Sequence, residues 1–187
     1  MTSLDFLSLD GVRADDRFRP LARSSMERRL REAGAAFAER DGWLVATHVP
    51  GQEDRRLVVR DVTHLHRVRE SADGVLVEFA PGDGREPVVG GHGWAGGGDR
   101  LPEATPDVSA GYAALHLEGP GATTLLRRLT EMPLDALPAA GAVAHVRAWV
   151  VEDGEESYRL LFAQEYGHYL WEVVVDAAEP LGGGPGA

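Results

Sequence analysis

The chain has 187 residues and a formal net charge of −11 at pH 7. This length fits one domain with a substantial core, and the acidic charge argues against nucleic-acid binding because a negative surface repels phosphates. Cysteine is absent and all 19 basic residues are arginine, which excludes thiol nucleophiles, disulfides, Cys-ligated metals and lysine Schiff bases. The N-terminus does not resemble a signal peptide and no apolar run could span a bilayer, so we expect a cytoplasmic protein without membrane contact.

The first half of the chain predicts a helix and then strands. Residues 1–20 are mixed in character and are expected to be irregular. A short helix comes next, and Asp41-Gly42 is typical of a β-hairpin turn between two strands. Residues 57–79 then predict two further strands, because β-branched and aliphatic residues recur there on either side of a second Asp-Gly pair.

A glycine- and proline-rich segment separates the two halves. Residues 81–110 contain eight glycines and four prolines, so this stretch cannot bury enough surface to offset its ordering entropy. We expect a mobile loop there, or a lid over a site, inside a single domain that spans residues 21–182. The glycine-rich residues 183–187 are expected to be a flexible tail.

The second half predicts a strand, a helix, a hairpin and a final helical segment. Residues 112–118 read as a strand, and Gly119-Pro120 is typical of a helix start. Residues 143–163 read as a hairpin that turns at residues 152–154. Residues 166–178 have helical spacing, although their three consecutive valines favour a strand as the alternative. These elements predict an α+β fold, with helices packed on a mostly antiparallel sheet.

Two polar features within the strands are candidates for chemistry. Asp61 lies among apolar strand neighbours, where a carboxylate normally needs a partner. It could act as a general base, or it could pair with an arginine such as Arg60, Arg67 or Arg147. His64 and His66 share a strand face, a spacing that suits a metal pair, but no third ligand is evident and we expect no metal site.

Several short segments, in order along the chain, resemble the glycine-cleavage T-protein (aminomethyltransferase) family. Each matches a short family motif or element in the expected sequence order. They are residues 24–35 with Asp41-Gly42-Trp43, Asp61-Val62-Thr63-His64-Leu65, Leu115-His116-Leu117-Glu118-Gly119-Pro120, Glu152-Asp153-Gly154, and Tyr166 to Leu181. The resemblance implies an α+β fold like the N-terminal folate-binding region of T-protein.

The resemblance also implies tetrahydrofolate as cofactor and one-carbon (aminomethyl or methyl) transfer as activity. Glu152 falls where the family has a glutamate that hydrogen-bonds the pterin, and Asp61 lies on a strand near the folate channel. Tyr112 and Trp149 would then line the pocket, where an aromatic ring could stack on the ligand. Core packing is the alternative for Trp149, and a solvated turn carboxylate is the alternative for Glu152.

This chain departs from the family pattern in ways that open other functions. Ala148-Trp149-Val150-Val151 replaces the family's Gly-Tyr-Thr-Gly, residues 81–110 contain no match to the catalytic aspartate motif, and the arginine segment that helps to hold folate is not found. The alternatives are a non-catalytic subunit of a heteromeric oxidoreductase, similar to the small subunits of sarcosine-type oxidases, and a folate-independent cyclase or isomerase. Apolar surface left uncovered by the missing segment predicts a homo-oligomer or a heteromeric partner subunit.

Overall fold

The computed structural model describes residues 21–71, 74–79, 88–92 and 106–187. The expectations for residues 1–20 and for most of residues 81–110 therefore lie outside the described ranges. Within those ranges, one six-stranded sheet, two three-stranded sheets and three α-helices form an α+β structure.

The described part of the chain contains three α-helices and twelve strands. The helices are α1 (Glu27–Glu32), α2 (Ala122–Leu129) and α3 (Gly167–Ala178). The strands are β1 (Ala22–Arg23), β2 (Ala36–Arg40), β3 (Trp43–His48), β4 (Leu57–Asp61), β5 (His66–Ser71), β6 (Gly74–Phe79), β7 (Val88–His92), β8 (Tyr112–Glu118), β9 (Ala139–Val143), β10 (Val146–Gly154), β11 (Ser157–Ala163) and β12 (Gly183–Gly186). The helical spacing over residues 166–178 thus prevails over the β propensity of its valines.

The large sheet has the strand order β12-β4-β8-β11-β10-β9. Every neighbouring pair in it is antiparallel except β12 with β4. The smaller sheets have the orders β1-β3-β2 and β5-β6-β7. The mostly antiparallel α+β fold predicted from the sequence is therefore confirmed.

One face of the large sheet forms the main core against the three helices. Alternate residues of β8 and β11 point to this face, as strand geometry requires, and Leu115, Leu117, Leu160 and Phe162 have no exposed surface. The helices contribute their apolar stripes to the same cluster, and Leu126 of α2 is fully buried in it. The residues that alternate with these buried ones along each strand therefore point to the opposite face of the sheet.

The described residues cover the opposite face of the large sheet only in part. A second cluster joins Ala114, Val151 and Leu161 of the large sheet to Val68 and Val77 of the β5-β6 hairpin. Beyond this apolar contact, polar side chains occupy the same face. This face of the sheet therefore has a polar surface next to the second apolar cluster.

Two glycine-containing segments differ from their predictions. Residues 88–92, expected to be part of a loop, form β7 and pair with β6. Residues 183–186, expected to be a flexible tail, form β12 and pair in parallel with β4. The absence of a side chain permits this close pairing, because a Cβ on Gly186 would lie 2.1 Å from Cγ1 of Val58.

The turn of the β10-β11 hairpin lies further along the chain than the sequence predicts. Strand β10 continues through Gly154, so Glu152 and Asp153 are strand residues and Glu155-Glu156 make the turn. Glu156 has a φ of +50°, and its carboxylate accepts hydrogen bonds from the N–H groups of Gly121 at 3.0 Å and Thr123 at 2.9 Å. Capping the N-terminus of α2 in this way holds the turn in place.

Candidate functional site

A cleft of about 370 Å³ opens on the face of the large sheet that the helices do not cover. Strands β4, β8, β10 and β11 build its floor, and Arg40 and His64 lie along its rim. The floor is polar, with side chains from Arg60, His116, Asp153, Ser157 and Arg159. We refer to this site as the cleft.

Strand register places three basic side chains in one row across the floor of the cleft. Arg60 of β4 is opposite His116 of β8, and His116 is opposite Arg159 of β11. Side chains paired across neighbouring strands share a face of the sheet. Two guanidinium groups therefore flank the imidazole ring.

Hydrogen bonds tie the row to a serine and an aspartate. Arg159, which is 6% exposed, donates from Nε to Oδ2 of Asp153 at 2.6 Å. Nε2 of His116 lies 2.8 Å from Oγ of Ser157 and 3.8 Å from Oδ2 of Asp153. In a Ser–His–Asp triad the serine and the aspartate address different ring nitrogens. Here both face the same nitrogen, so the network does not have triad geometry.

The imidazole of His116 is neutral at pH 7. Burial, together with the positive charge of Arg159, lowers the pKa of His116 to about 4. Glu118 and Asp153 act in the opposite direction but do not compensate. The ring therefore offers one hydrogen-bond donor and one acceptor to the cleft rather than a charge.

Asp61 lies at the end of β4, where it lines the cleft. Its Oδ1 accepts a hydrogen bond from the backbone N–H of Thr63 at 3.0 Å. The hydroxyl of Thr63 accepts from the N–H of Ala114 at 3.1 Å and lies 3.4 Å from the hydroxyl of Ser24. Burial raises the pKa of Asp61, and hydrogen bonds with Ser24 and Thr63 oppose that shift.

The arginine pairing considered for Asp61 does not occur within the described ranges. Arg60 instead pairs with Glu118, and Nε of Arg67 lies 3.4 Å from Oδ2 of Asp107. Asp61 is thus held by hydroxyl and backbone donors alone among the described residues. This leaves its carboxyl group able to exchange a proton without breaking an ion pair.

The two histidines considered as a metal pair have separate environments. His64 lines the cleft, whereas Nε2 of His66 lies 3.1 Å from the carbonyl oxygen of Ser109. Burial lowers the pKa of both rings. No group of three His, Asp or Glu side chains within the described ranges is arranged to hold a metal ion.

Tyr112 and Trp149 are brought together beside the second core. Their rings meet edge to face, with centroids 5.8 Å apart and planes at 70°. Both pack against the cluster that contains Ala114 and Val151. The indole N–H of Trp149 is buried and has no acceptor among the described residues. The pair shares the open face with the cleft but does not line it.

Glu152 lies apart from the other three predicted site residues. It pairs with Tyr158 in the β10-β11 ladder, and Tyr158 belongs to the helix-side core. Glu152 therefore points to the helix side of the sheet, where it is exposed. The Tyr112–Trp149 pair lies on the other side of the sheet. Asp61 borders the cleft, but in the β4-β8 ladder it is opposite Leu115 of the helix-side core. The four residues therefore do not converge on one pocket, and their roles in binding and catalysis stay predictions.

The His116–Asp153–Arg159 network is not among the candidate sites predicted from the sequence. A signal for it exists in the alternation of β8 and β11. His116 lies between Leu115 and Leu117, and Arg159 interrupts a strand that is otherwise almost entirely apolar. A charged residue within a strand that is buried on both faces requires a partner. That partner, Asp153, is six residues from Arg159 across the hairpin.

Comparison with known proteins shows similarity in structure but not in sequence. No protein-family model matches the chain, and no curated protein matches it. A chain of the heterotetrameric sarcosine oxidase from Corynebacterium sp. U-96, in complex with pyrrole 2-carboxylate, aligns with a TM-score of 0.52 and 15% identity. That alignment covers 86% of this chain and 96% of the other. The glycine cleavage system aminomethyltransferase T from Bartonella henselae aligns with a TM-score of 0.55 and 12% identity, over 89% of this chain and 60% of that one.

These likenesses agree with the resemblance found in the sequence. Identities of 12–15% establish the fold alone. None of the helices in the described ranges is long and apolar enough to cross a membrane. The chain has a T-protein-like α+β fold.

Proposed function

We propose that the chain acts as a T-protein-like subunit of a larger heteromeric assembly whose partner subunits carry out an oxidoreductase reaction. One observation supports this most directly. The alignment spans 96% of a chain from the heterotetrameric sarcosine oxidase but 60% of the aminomethyltransferase. The aligned part of this chain thus corresponds to almost the full length of one chain of that complex.

The geometry of the open face is consistent with a subunit role. Arg60 and Arg159 on the floor of the cleft already have carboxylate partners in Glu118 and Asp153. A ligand that used either guanidinium would compete with an internal ion pair. Glu152, which the folate resemblance places at the pterin, lies on the other side of the sheet. These features favour a structural contribution to an assembly over independent catalysis.

The direct test is purification of the tagged chain from its own cells under mild conditions, followed by native mass spectrometry. We expect an assembly that contains at least one different polypeptide, together with the visible absorbance of a bound flavin. A tagged unrelated protein from the same cells is the control. A chain that remains monomeric, or that associates only with itself, would contradict the proposal.

A second candidate function is tetrahydrofolate-dependent one-carbon transfer, with Asp61 as the catalytic residue. The observation that favours it is the state of Asp61. Asp61 borders the cleft, burial raises the pKa of its carboxyl group, and that group forms no ion pair within the described ranges. A group in this state can accept a proton from an amine near neutral pH more readily than an ordinary aspartate.

Calorimetry with tetrahydrofolate tests this second candidate. If it is right, the wild-type chain binds tetrahydrofolate, Asp61→Asn retains binding but loses transfer, and exposed Asp135→Asn changes neither. Glu152→Gln should weaken binding by about tenfold if Glu152 holds the pterin, while exposed Glu155→Gln should not. Absence of binding by the wild-type chain would remove the folate hypothesis and leave the subunit proposal intact.

A further inference from the structure

A groove of about 780 Å³ lies between the end of α2, the side of α3 and the β9-β10 turn. It is on the opposite side of the large sheet from the cleft. Its walls include Arg127, Arg128, Met132, His145 and Tyr169. Both arginines are exposed, and Tyr169 is 42% exposed. We refer to it as the basic groove.

The two arginines of the basic groove are adjacent in sequence, and both are exposed. Elsewhere in the described ranges, many arginines are matched by nearby carboxylates, as in the pairs Arg28–Glu32 and Arg159–Asp153. Arg127 and Arg128 form no ion pair with any described residue, although Glu131 also lines the groove. Two adjacent cations therefore stay available on the surface of a chain whose net charge is −11.

The walls of the basic groove are held in place before any partner binds. The N–H of Ala144 donates to the carbonyl oxygen of Leu129 at 2.7 Å, which ties the β9-β10 turn to the end of α2. The hydroxyl of Thr130 donates to the carbonyl oxygen of Ala142 at 2.6 Å. From α3, the hydroxyl of Tyr169 donates to the carbonyl oxygen of Ala144 at 3.1 Å. A preformed groove loses little conformational freedom on binding.

The β9-β10 turn also keeps an unfavourable backbone conformation at the edge of the groove. Ala144 and His145 have φ values of +46° and +67°, in the left-handed region that Gly and Asn adopt more easily. A two-residue type I′ hairpin turn, which joins β9 to β10 here, requires a positive φ at both of its central residues. The turn places His145 on the wall of the groove.

We propose that the basic groove binds an acidic peptide segment of a partner subunit. Carboxylates of the segment pair with Arg127 and Arg128, and an apolar side chain packs between Met132 and Tyr169. Arginine, tyrosine and methionine are the residue types enriched in protein interfaces. Charge complementarity selects an acidic segment rather than a second copy of this acidic chain. The inference rests on the proposed heteromeric assembly and assigns the surface that it uses.

A peptide titration tests the groove independently of the assembly. The probe is a fluorescein-labelled nonapeptide in which glutamate alternates with leucine and phenylalanine, and its control has glutamine at every glutamate position. We expect the acidic peptide to bind the full-length chain and the neutral peptide to bind at least about fivefold more weakly. Arg127→Glu and Arg128→Glu should each weaken acidic-peptide binding about threefold to tenfold, since each reversal replaces an attraction with a repulsion.

The matched control is Arg56→Glu, which reverses an exposed arginine that also has no ion pair in the described ranges and lies outside the groove. It should leave peptide binding unchanged. Equal weakening by all three variants, equal binding of both peptides, or no binding would overturn the inference.

The purified assembly separates this inference from the proposed function. If Arg127→Glu and Arg128→Glu weaken the assembly while Arg56→Glu does not, both stand. If the assembly is unaffected by all three substitutions, the subunit proposal stands and the basic groove is not its interface. If no assembly exists but the peptide results hold, the groove still binds acidic segments and the subunit proposal fails.

Discussion

Lowering the pH should destabilise the protein through His116. A histidine in an unfolded chain titrates near 6.5, whereas burial and Arg159 lower the pKa of folded His116 to about 4. Between these two values the unfolded chain binds a proton that the folded chain does not. The free energy of unfolding must therefore fall as the pH decreases from about 6.5 to about 4, and His116 should have no effect on the pH dependence above that window.

The size of the effect follows from the shift. A pKa lowered from 6.5 to about 4 corresponds to roughly 3 kcal/mol between the two protonation states, of which about 2 kcal/mol is lost by pH 5. This is a large share of the roughly 5–15 kcal/mol that stabilises a typical domain. Other groups titrate nearby: Glu156 also loses stabilising contacts in acid, and Asp61, whose pKa is raised, acts in the opposite direction.

A non-titrating variant isolates the contribution of His116. Urea denaturation of the wild-type chain and of His116→Gln, each at pH 7, 6 and 5, measures the free energy of unfolding. Glutamine can still hydrogen-bond Ser157, but it cannot take up a proton. We expect the wild-type chain to lose about 2 kcal/mol more than the variant between pH 7 and pH 5. Parallel pH profiles, or a pKa near 6.5 for His116 in an NMR titration, would refute the reasoning.

Three further substitutions test the packing around the sheet by urea denaturation. Gly119→Ala should cost about 3 kcal/mol or more, because Gly119 has a φ of +113° and a Cβ there would lie 2.1 Å from the carbonyl oxygen of Arg56; a near-neutral effect would contradict this close approach. Glu156→Gln should cost about 1 kcal/mol by weakening the cap of α2, while exposed Glu155→Gln stays within about 0.5 kcal/mol; equal effects would argue against the cap. Leu126→Ala should cost about 2–5 kcal/mol, since it empties a fully buried position, and a loss below about 1 kcal/mol would mean that the core collapses around it.

The sequence predicts the core side of the fold well because burial imposes a period on it. The apolar spacing of α2 and the Asp41-Gly42 turn are local signals, and the helix and the β2-β3 hairpin form where those signals lie. The β12 strand could not be predicted in this way. Its glycines have no apolar pattern, and their place in the sheet depends on contact with Val58, more than a hundred residues away in the chain.

The candidate site was predicted less completely, because its geometry depends on strand register. The aspartate at position 61 is recognisable from sequence as an unusual carboxylate in a strand. Its true partners, Ser24 and Thr63, include a residue from a distant segment that no pattern indicates. Likewise, the register of the β10-β11 hairpin, in which Glu152 is opposite Tyr158, decides the side of the sheet to which Glu152 points, because successive strand residues alternate between faces.

The cleft and the basic groove differ in whether their arginines already have a carboxylate partner. This difference determines which kind of ligand each surface can bind. On the floor of the cleft, Arg159 is 6% exposed and bound to Asp153. An anionic ligand there must displace a buried partner, and leaving a buried charge unpaired costs about 3–5 kcal/mol. In the basic groove, Arg127 and Arg128 can each contribute about 0.2–1 kcal/mol to an incoming carboxylate without breaking an existing pair. The cleft therefore favours a ligand that hydrogen-bonds neutral groups such as His116, whereas the groove favours an anionic partner whose binding weakens as salt screens the exposed charges.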